Sequence, residues 1–147
     1  MTNSNLSTLD PRLINDCFLL GHLKSSRLLL LNNSLVPWFI LVPDTTHTEI
    51  YQLPHDQQLD LLDQINILSN HIKQNFSIDK LNVAAIGNIV SQLHIHIIGR
   101  HIDDFCWPGV VWGTTERRPY QNSDVDAIKS QLIHYLPDIF IENQALK

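Results

Sequence analysis

Apolar and polar residues alternate most regularly between Gln92 and Ile98, where Leu93, Ile95 and Ile97 interleave with Gln92, His94 and His96. Successive side chains of an extended strand point to opposite faces, so one face of this stretch is aliphatic and the other is a ladder of nitrogen-bearing groups. Leu81–Ile86 predicts a preceding strand, with Ala84 and Ala85 small enough for close packing, and Gly87-Asn88 bends the chain between the two. Leu28–Leu31 and Trp38–Val42 are β-competent runs separated by Asn32-Asn33-Ser34, residues that tolerate tight turns, and they predict an antiparallel hairpin. Their near-continuous apolarity calls for cover on both faces, by helices on one and a partner subunit on the other.

A helical period takes over from Pro54 to Phe76. Leu61/Leu62, Ile65, Leu68, Ile72 and Phe76 fall on one side, and Asp60, Asp63, Asn66, Asn70 and Lys73 on the other. Such a helix is about 30 Å long, enough to cross a sheet. Val125, Ile128, Leu132 and Tyr135 mark a second helix ending before Pro137, with Ser123 and Asp126 resembling a capping box. Asp10-Pro11 starts a turn or a short helix, Phe18–Leu20 is a brief apolar run, and His22–Ser26 reads as a loop. Residues 1–8 read as a disordered polar lead and 137–147 as a tail with no assigned structure. The expected architecture is one α+β domain over residues 1–147. It has an antiparallel sheet of about five strands, with the long helix and the C-terminal helix on one face.

Composition changes this picture in three respects. At 147 residues the chain can bury roughly 70% of its unfolded surface without staples. The formal net charge is -5 and no basic block occurs, so a nucleic acid polymer is not the expected partner. A mononucleotide stays open, because backbone N–H groups and imidazoles can meet a few phosphates. Cys17 and Cys106 lack any CxxC spacing and read as reduced thiols. Residues 1–8 carry neither the basic nor the apolar region of a signal peptide, and the longest apolar runs are far too short to span a bilayer. The expectation is a cytoplasmic protein without membrane contact.

An H-x-H pair on a strand has three competing uses. Two imidazoles on one face can ligate zinc, but the other histidines are scattered singly and only His101 is near. A neutral imidazole held in one tautomer can attack phosphorus or a carbonyl directly, while neighbours on the same face stabilise the charge that develops on a phosphate. The third use is a hydrogen-bonded ladder without chemistry.

The stretch Gly87-Asn88-Ile89-Val90-Ser91-Gln92-Leu93-His94-Ile95-His96-Ile97-Ile98-Gly99-Arg100 resembles the signature of the histidine-triad (HIT) superfamily, Gly-Gln-x-Val followed by three alternating histidines. Leu30-Leu31-Asn32 and Pro37-Trp38-Phe39-Ile40-Leu41-Val42-Pro43 are similar to the family's strand-turn-"PGHxLVxP" hairpin, and Trp107-Pro108-Gly109 to a segment of one of its branches. The likeness covers about Leu28 to Gly113. It implies a nucleotide-binding α+β fold that dimerises. The implied activity is hydrolysis or transfer of nucleoside monophosphates from dinucleoside polyphosphates, phosphoramidates or similar conjugates, through a nucleotidyl-histidine intermediate.

Carried across, the nucleophile falls on His94 and a phosphate contact on His96. Asn88 replaces the Gln that holds phosphate and leaving group, and Asn32 falls where the hairpin meets the ribose. No metal or cofactor is implied. Gln92 stands at the first triad position, where it can hydrogen-bond and orient His94 but not titrate. Phe39 stands in place of the hairpin histidine, with bulky Trp38 beside it narrowing the pocket. These departures leave a catalytically weak nucleotide-binding protein as the alternative reading, and a metal-dependent hydrolase as a third. Trp107 and Trp112 read as aromatics packed on the core rather than as a base-binding cap, Arg100 as a solvated charge or structural ion pair, and His71 as a surface residue.

Overall fold

A computed structural model describes residues 8–143. The expected disordered lead falls almost wholly in residues 1–7, outside the described residues. The chain runs α1 (Pro11–Asp16), β1 (Cys17–Leu23), β2 (Ser26–Leu31), β3 (Trp38–Pro43), α2 (His55–Asn75), β4 (Lys80–Ala84), β5 (Ile95–Arg100), α3 (Asn122–Tyr135) and β6 (Phe140–Glu142). These strands form one antiparallel sheet in the order β4-β5-β3-β2-β1-β6.

The expected α+β architecture is the observed one, with six strands instead of about five. The hairpin of β2 and β3 pairs Leu28 with Leu41 and Leu30 with Phe39. Strand parity then sorts its side chains. Leu28, Leu30, Phe39 and Leu41 join Leu93, Ile95 and Ile97 in a core under α2 and α3, which supply Leu61, Leu68 and Ile72 and Val125, Ile128 and Leu132. Leu29, Leu31, Trp38, Ile40 and Val42 point the other way, into a second cluster closed by Leu9, Leu13, Val36, Val90 and Val111. The opposite face of the central strands is thus covered by α1 and loop segments of the same chain.

The strand missed in sequence is β1. Gly21 interrupts its apolar run, yet marks a register shift in the β1–β2 pairing and is where β6 comes alongside. A Cβ at Gly21 would overlap the carbonyl oxygen of Ile141, so only glycine lets β6 close that edge. The tail left without an assigned structure therefore contains an edge strand, anchored by buried Phe140. In α2, Leu61, Gln64, Leu68, His71 and Ile72 are buried at three- and four-residue spacing, so His71 is a core residue and not a surface one. The capping box of α3 sits two residues earlier than expected, between Gln121 and Asp124.

Candidate active site

The polar face of the Gln92–Ile98 stretch opens into a cavity of about 480 Å³ on the side of the sheet away from α2 and α3. His94 lies one residue before β5 and His96 inside it, paired across to Ile40 of β3. Both rings line the cavity, with centroids 4.9 Å apart and planes inclined by 67°.

Their hydrogen bonds dictate their tautomers. His94 Nδ1 lies 2.7 Å from the main-chain carbonyl oxygen of Gln92. A carbonyl only accepts, so in the neutral ring Nδ1 carries the proton and Nε2 keeps a lone pair. The Trp38 indole Nε1–H donates to His96 Nδ1 at 2.9 Å. An indole only donates, so the proton of neutral His96 sits on Nε2. Side by side, the pair offers one nucleophilic nitrogen and one N–H donor, the complement that an attacked phosphoryl group requires. Burial, with the neighbouring charge of His94 as a lesser cause, pushes His96 down to about 4, so it stays neutral over the physiological range. The one thiol lining the cavity, Cys17, is pushed up to about 12 by burial and is no competing nucleophile.

The other anticipated residues are placed unequally. Asn88 lines the cavity beside Ile89. Asn32 does not: its side-chain oxygen accepts from the Tyr120 amide at 2.8 Å, and Asn33 lines the cavity in its place. Asn33 in turn accepts from the Arg118 amide and donates to the Glu116 carbonyl, so the paired asparagines dock the 116–120 segment along the site. Gln92 supports His94 through its main-chain carbonyl, while its side chain turns away and bonds Thr8 and Asp10. Phe39 is buried in the helix-side core, so the group on this hairpin that reaches the triad is Trp38.

Trp112 lines the cavity and meets both His96 and Trp38 edge-on, at 5.3 and 5.7 Å between centroids. Trp107, by contrast, covers the guanidinium of buried Arg100. Sequence reasoning missed Trp38 as a partner of His96, along with Arg12, Asn33 and Arg117 in the cavity wall. For Trp38 part of a signal existed: strand parity puts it on the face of Ile40, and the β3–β5 pairing, which sets Ile40 opposite His96, brings that face to the imidazole.

Removing the indole donor has a readable consequence. Trp38→Phe frees His96 Nδ1 to take a proton, so the His96 pKa rises from about 4 while burial still holds it below its ordinary value. Activity at neutral pH is expected to fall about ten- to hundredfold, the usual loss when a residue orienting an active imidazole is removed. The acid limb of the kcat–pH profile should move upward from about pH 4, with the shift assignable to His96 by NMR titration. A merely structural role would lower the whole profile without changing its shape.

Among the described residues, no group of three or more histidine, cysteine, aspartate or glutamate side chains is arranged to hold a metal ion. His101 sits 3.6 Å from Asp79 and does not line the cavity, so His94 and His96 gain no third ligand from it.

The fold and the paired imidazoles in one cavity define an α+β protein with a two-histidine site, and comparison with known proteins places it. The family model described as the HIT domain matches residues 12–103, and the chain belongs to this family. A histidine triad protein from Marinobacter aquaeolei VT8 is 40% identical over 92% of this chain and 99% of its own, with a TM-score of 0.86. A histidine triad protein from Sinorhizobium meliloti 1021 is 33% identical over 90% and 98%, also at 0.86. A hypothetical histidine triad nucleotide-binding protein from Sulfolobus tokodaii strain7, 16% identical at a TM-score of 0.60, shares the fold. No curated protein matches the chain. The HIT superfamily is one of nucleotide-binding hydrolases and transferases. No helix among the described residues is long and apolar enough to cross a membrane.

Proposed function

We propose that the chain is a nucleotide hydrolase or nucleotidyl transferase that cleaves a nucleoside monophosphate from a dinucleoside polyphosphate, phosphoramidate or similar conjugate. The observation that carries this reading is the fixed, opposite tautomerism of His94 and His96 in one cavity. His94 Nε2 attacks the phosphorus, the bond to the leaving group breaks, and its electron pair departs with that group, which takes up a proton. The His96 Nε2–H donates to a non-bridging oxygen as charge gathers there. Water, or another acceptor in a transfer, then attacks the nucleotidyl-His94 phosphorus, releasing the nucleoside monophosphate and restoring the imidazole. Asn88, which lines the cavity, is the side chain to which the family resemblance gives the phosphate and leaving group. The apolar wall of Leu13, Leu31, Ile40, Val111 and Trp112 suits a nucleoside.

The deciding test is hydrolysis of adenosine phosphoramidate and a dinucleoside polyphosphate by the wild type and by His94→Ala. Turnover by the wild type alone supports the proposal. Two equally inert proteins that still bind nucleotide would instead favour the catalytically weak binding module.

We further propose a homodimer formed through β4. Among the described residues that strand pairs only with β5, which leaves its other edge open, and Val83, Ile86 and Ile89 lie exposed on it and on the segment that follows. Sedimentation equilibrium should give twice the chain mass, and Val83→Lys should give the monomer. A monomeric wild type at micromolar concentration would exclude this assembly.

A further inference from the structure

Gln92 raises a question the proposed chemistry leaves open: what this side chain does at a position where the family has a histidine. Both ends of its carboxamide are used, and neither touches His94. The oxygen accepts from the Asp10 amide at 2.8 Å, and the nitrogen donates to the Thr8 carbonyl at 3.1 Å. The partners are the main-chain groups of a segment more than eighty residues away in sequence. That segment is also held by packing, since Leu9 and Leu13 are buried in the cluster containing Ile40, Val90 and Val111.

The docked arm carries Arg12 to the cavity wall. Its guanidinium is fixed on two sides: Asp10 accepts from Nε and Nη2 at 3.0 and 2.8 Å, and the Ile89 carbonyl accepts from Nη1 at 2.7 Å. Arg12 remains half-exposed, and the unused N–H groups of the fork are left for a ligand. Arg12 thus sits against the residue that follows Asn88, the side chain given the phosphate and leaving group above. The cavity is not a broadly cationic one, because Arg12 and Arg117 are matched by Asp16 and Glu116 in its wall. Recognition of an anion there depends on oriented N–H donors rather than on a general positive field. Asp10, held down at about 2 chiefly by its side-chain hydrogen bonds with Arg12, remains ionised and keeps the fork aligned at any working pH.

We infer that residues 8–16 are an arm of the active site, hooked in place by Gln92, and that Arg12 reads the anionic leaving group of a polyphosphate conjugate. The HIT match begins at residue 12, so Thr8 and Asp10, the partners of the hook, lie ahead of it. On this view Gln92 is a positioning residue acting through Arg12, not a weakened histidine.

This assignment rests on the nucleotide reading above, and its test separates the two. The dissociation constants of adenosine monophosphate and of a non-hydrolysable α,β-methylene adenosine polyphosphate are measured for the wild type, Arg12→Ala, Arg12→Lys and Gln92→Leu. Arg12→Ala should weaken polyphosphate binding about tenfold or more, the size of a lost charge-assisted hydrogen bond, and monophosphate binding less than about twofold. Arg12→Lys should not restore it, because one ammonium cannot hold Asp10, the Ile89 carbonyl and the ligand together. Gln92→Leu should reproduce the loss and speed amide exchange at Asp10. Gln92→Glu, which keeps the acceptor for Asp10, should fall between if the chain remains folded by circular dichroism. Unchanged polyphosphate preference in Arg12→Ala, or equal weakening of both ligands, overturns the assignment and leaves the nucleotide reading standing. A wild type that binds neither nucleotide overturns both.

Discussion

His94→Ala is expected to lower turnover of a phosphoramidate or dinucleoside polyphosphate by about four orders of magnitude or more, as loss of a nucleophile or its partner base does in other covalent mechanisms. The size follows from the absence of a substitute. Cys17 is a buried thiol held at about 12, and His96 presents its protonated nitrogen to the cavity because Trp38 occupies the other one. Nucleotide affinity should change little, since the cavity wall and the His96 donor remain, so the loss belongs in kcat rather than in KM. Acid quenching during turnover provides the direct check. The wild type should carry one nucleotidyl group on His94 by mass spectrometry, and the variant none. Activity within about tenfold of wild type in His94→Ala would mean that water attacks phosphorus directly, and the covalent route would have to be abandoned.

The alternation from Leu93 to Ile97 was legible because it depends only on the two-residue period of a strand, and it put His94 and His96 on the right face. The helix over His55–Asn75 was legible for a similar local reason. What sequence reading missed depends on residues far apart in the chain. The Trp38 bond to His96 follows from the β3–β5 pairing, which joins strands more than fifty residues apart and is not written in a single segment. Gln92 was expected to orient His94 with its side chain. Its main chain does so, because the side chain finds better-matched partners in Thr8 and Asp10. Asn32 was a ribose contact by resemblance alone, and the Tyr120 amide occupies its side-chain oxygen. The strands β1 and β6 were hidden by a glycine and by a shortage of buried residues, since β6 has only Phe140 to bury.

The largest stability effect is expected away from the imidazoles, at Asp104. Arg100 and Asp104 form a two-pronged ion pair at 2.7 and 3.0 Å, with side chains 1% and 2% exposed. Arg100 also donates to Asn82 and to the Gly109 carbonyl, while Asp104 accepts from the amides of His101 and Cys106. The segment after β5 is therefore wound around one buried pair before it delivers Val111 and Trp112 to the cavity. Asp104→Ala strands a buried guanidinium and is expected to cost about 3–5 kcal/mol in urea unfolding. Replacing both partners, as Arg100→Met with Asp104→Leu, should recover part of that loss, because no buried charge remains. The pH dependence follows the same pair. Burial alone would raise the Asp104 carboxyl, but the hydrogen bonds from Arg100 and the two amides outweigh it and hold the group down at about 2. A carboxyl with a folded pKa below its unfolded one contributes its full stability above about pH 4 and loses it as pH falls toward 2. The wild-type Tm should therefore drop more steeply over that interval than that of Asp104→Ala. Parallel Tm profiles would show that the pair contributes nothing as an ionised unit. If the variant instead unfolds only locally, Trp112 leaves the cavity wall, and a lowered nucleotide affinity with unchanged global unfolding would reveal it.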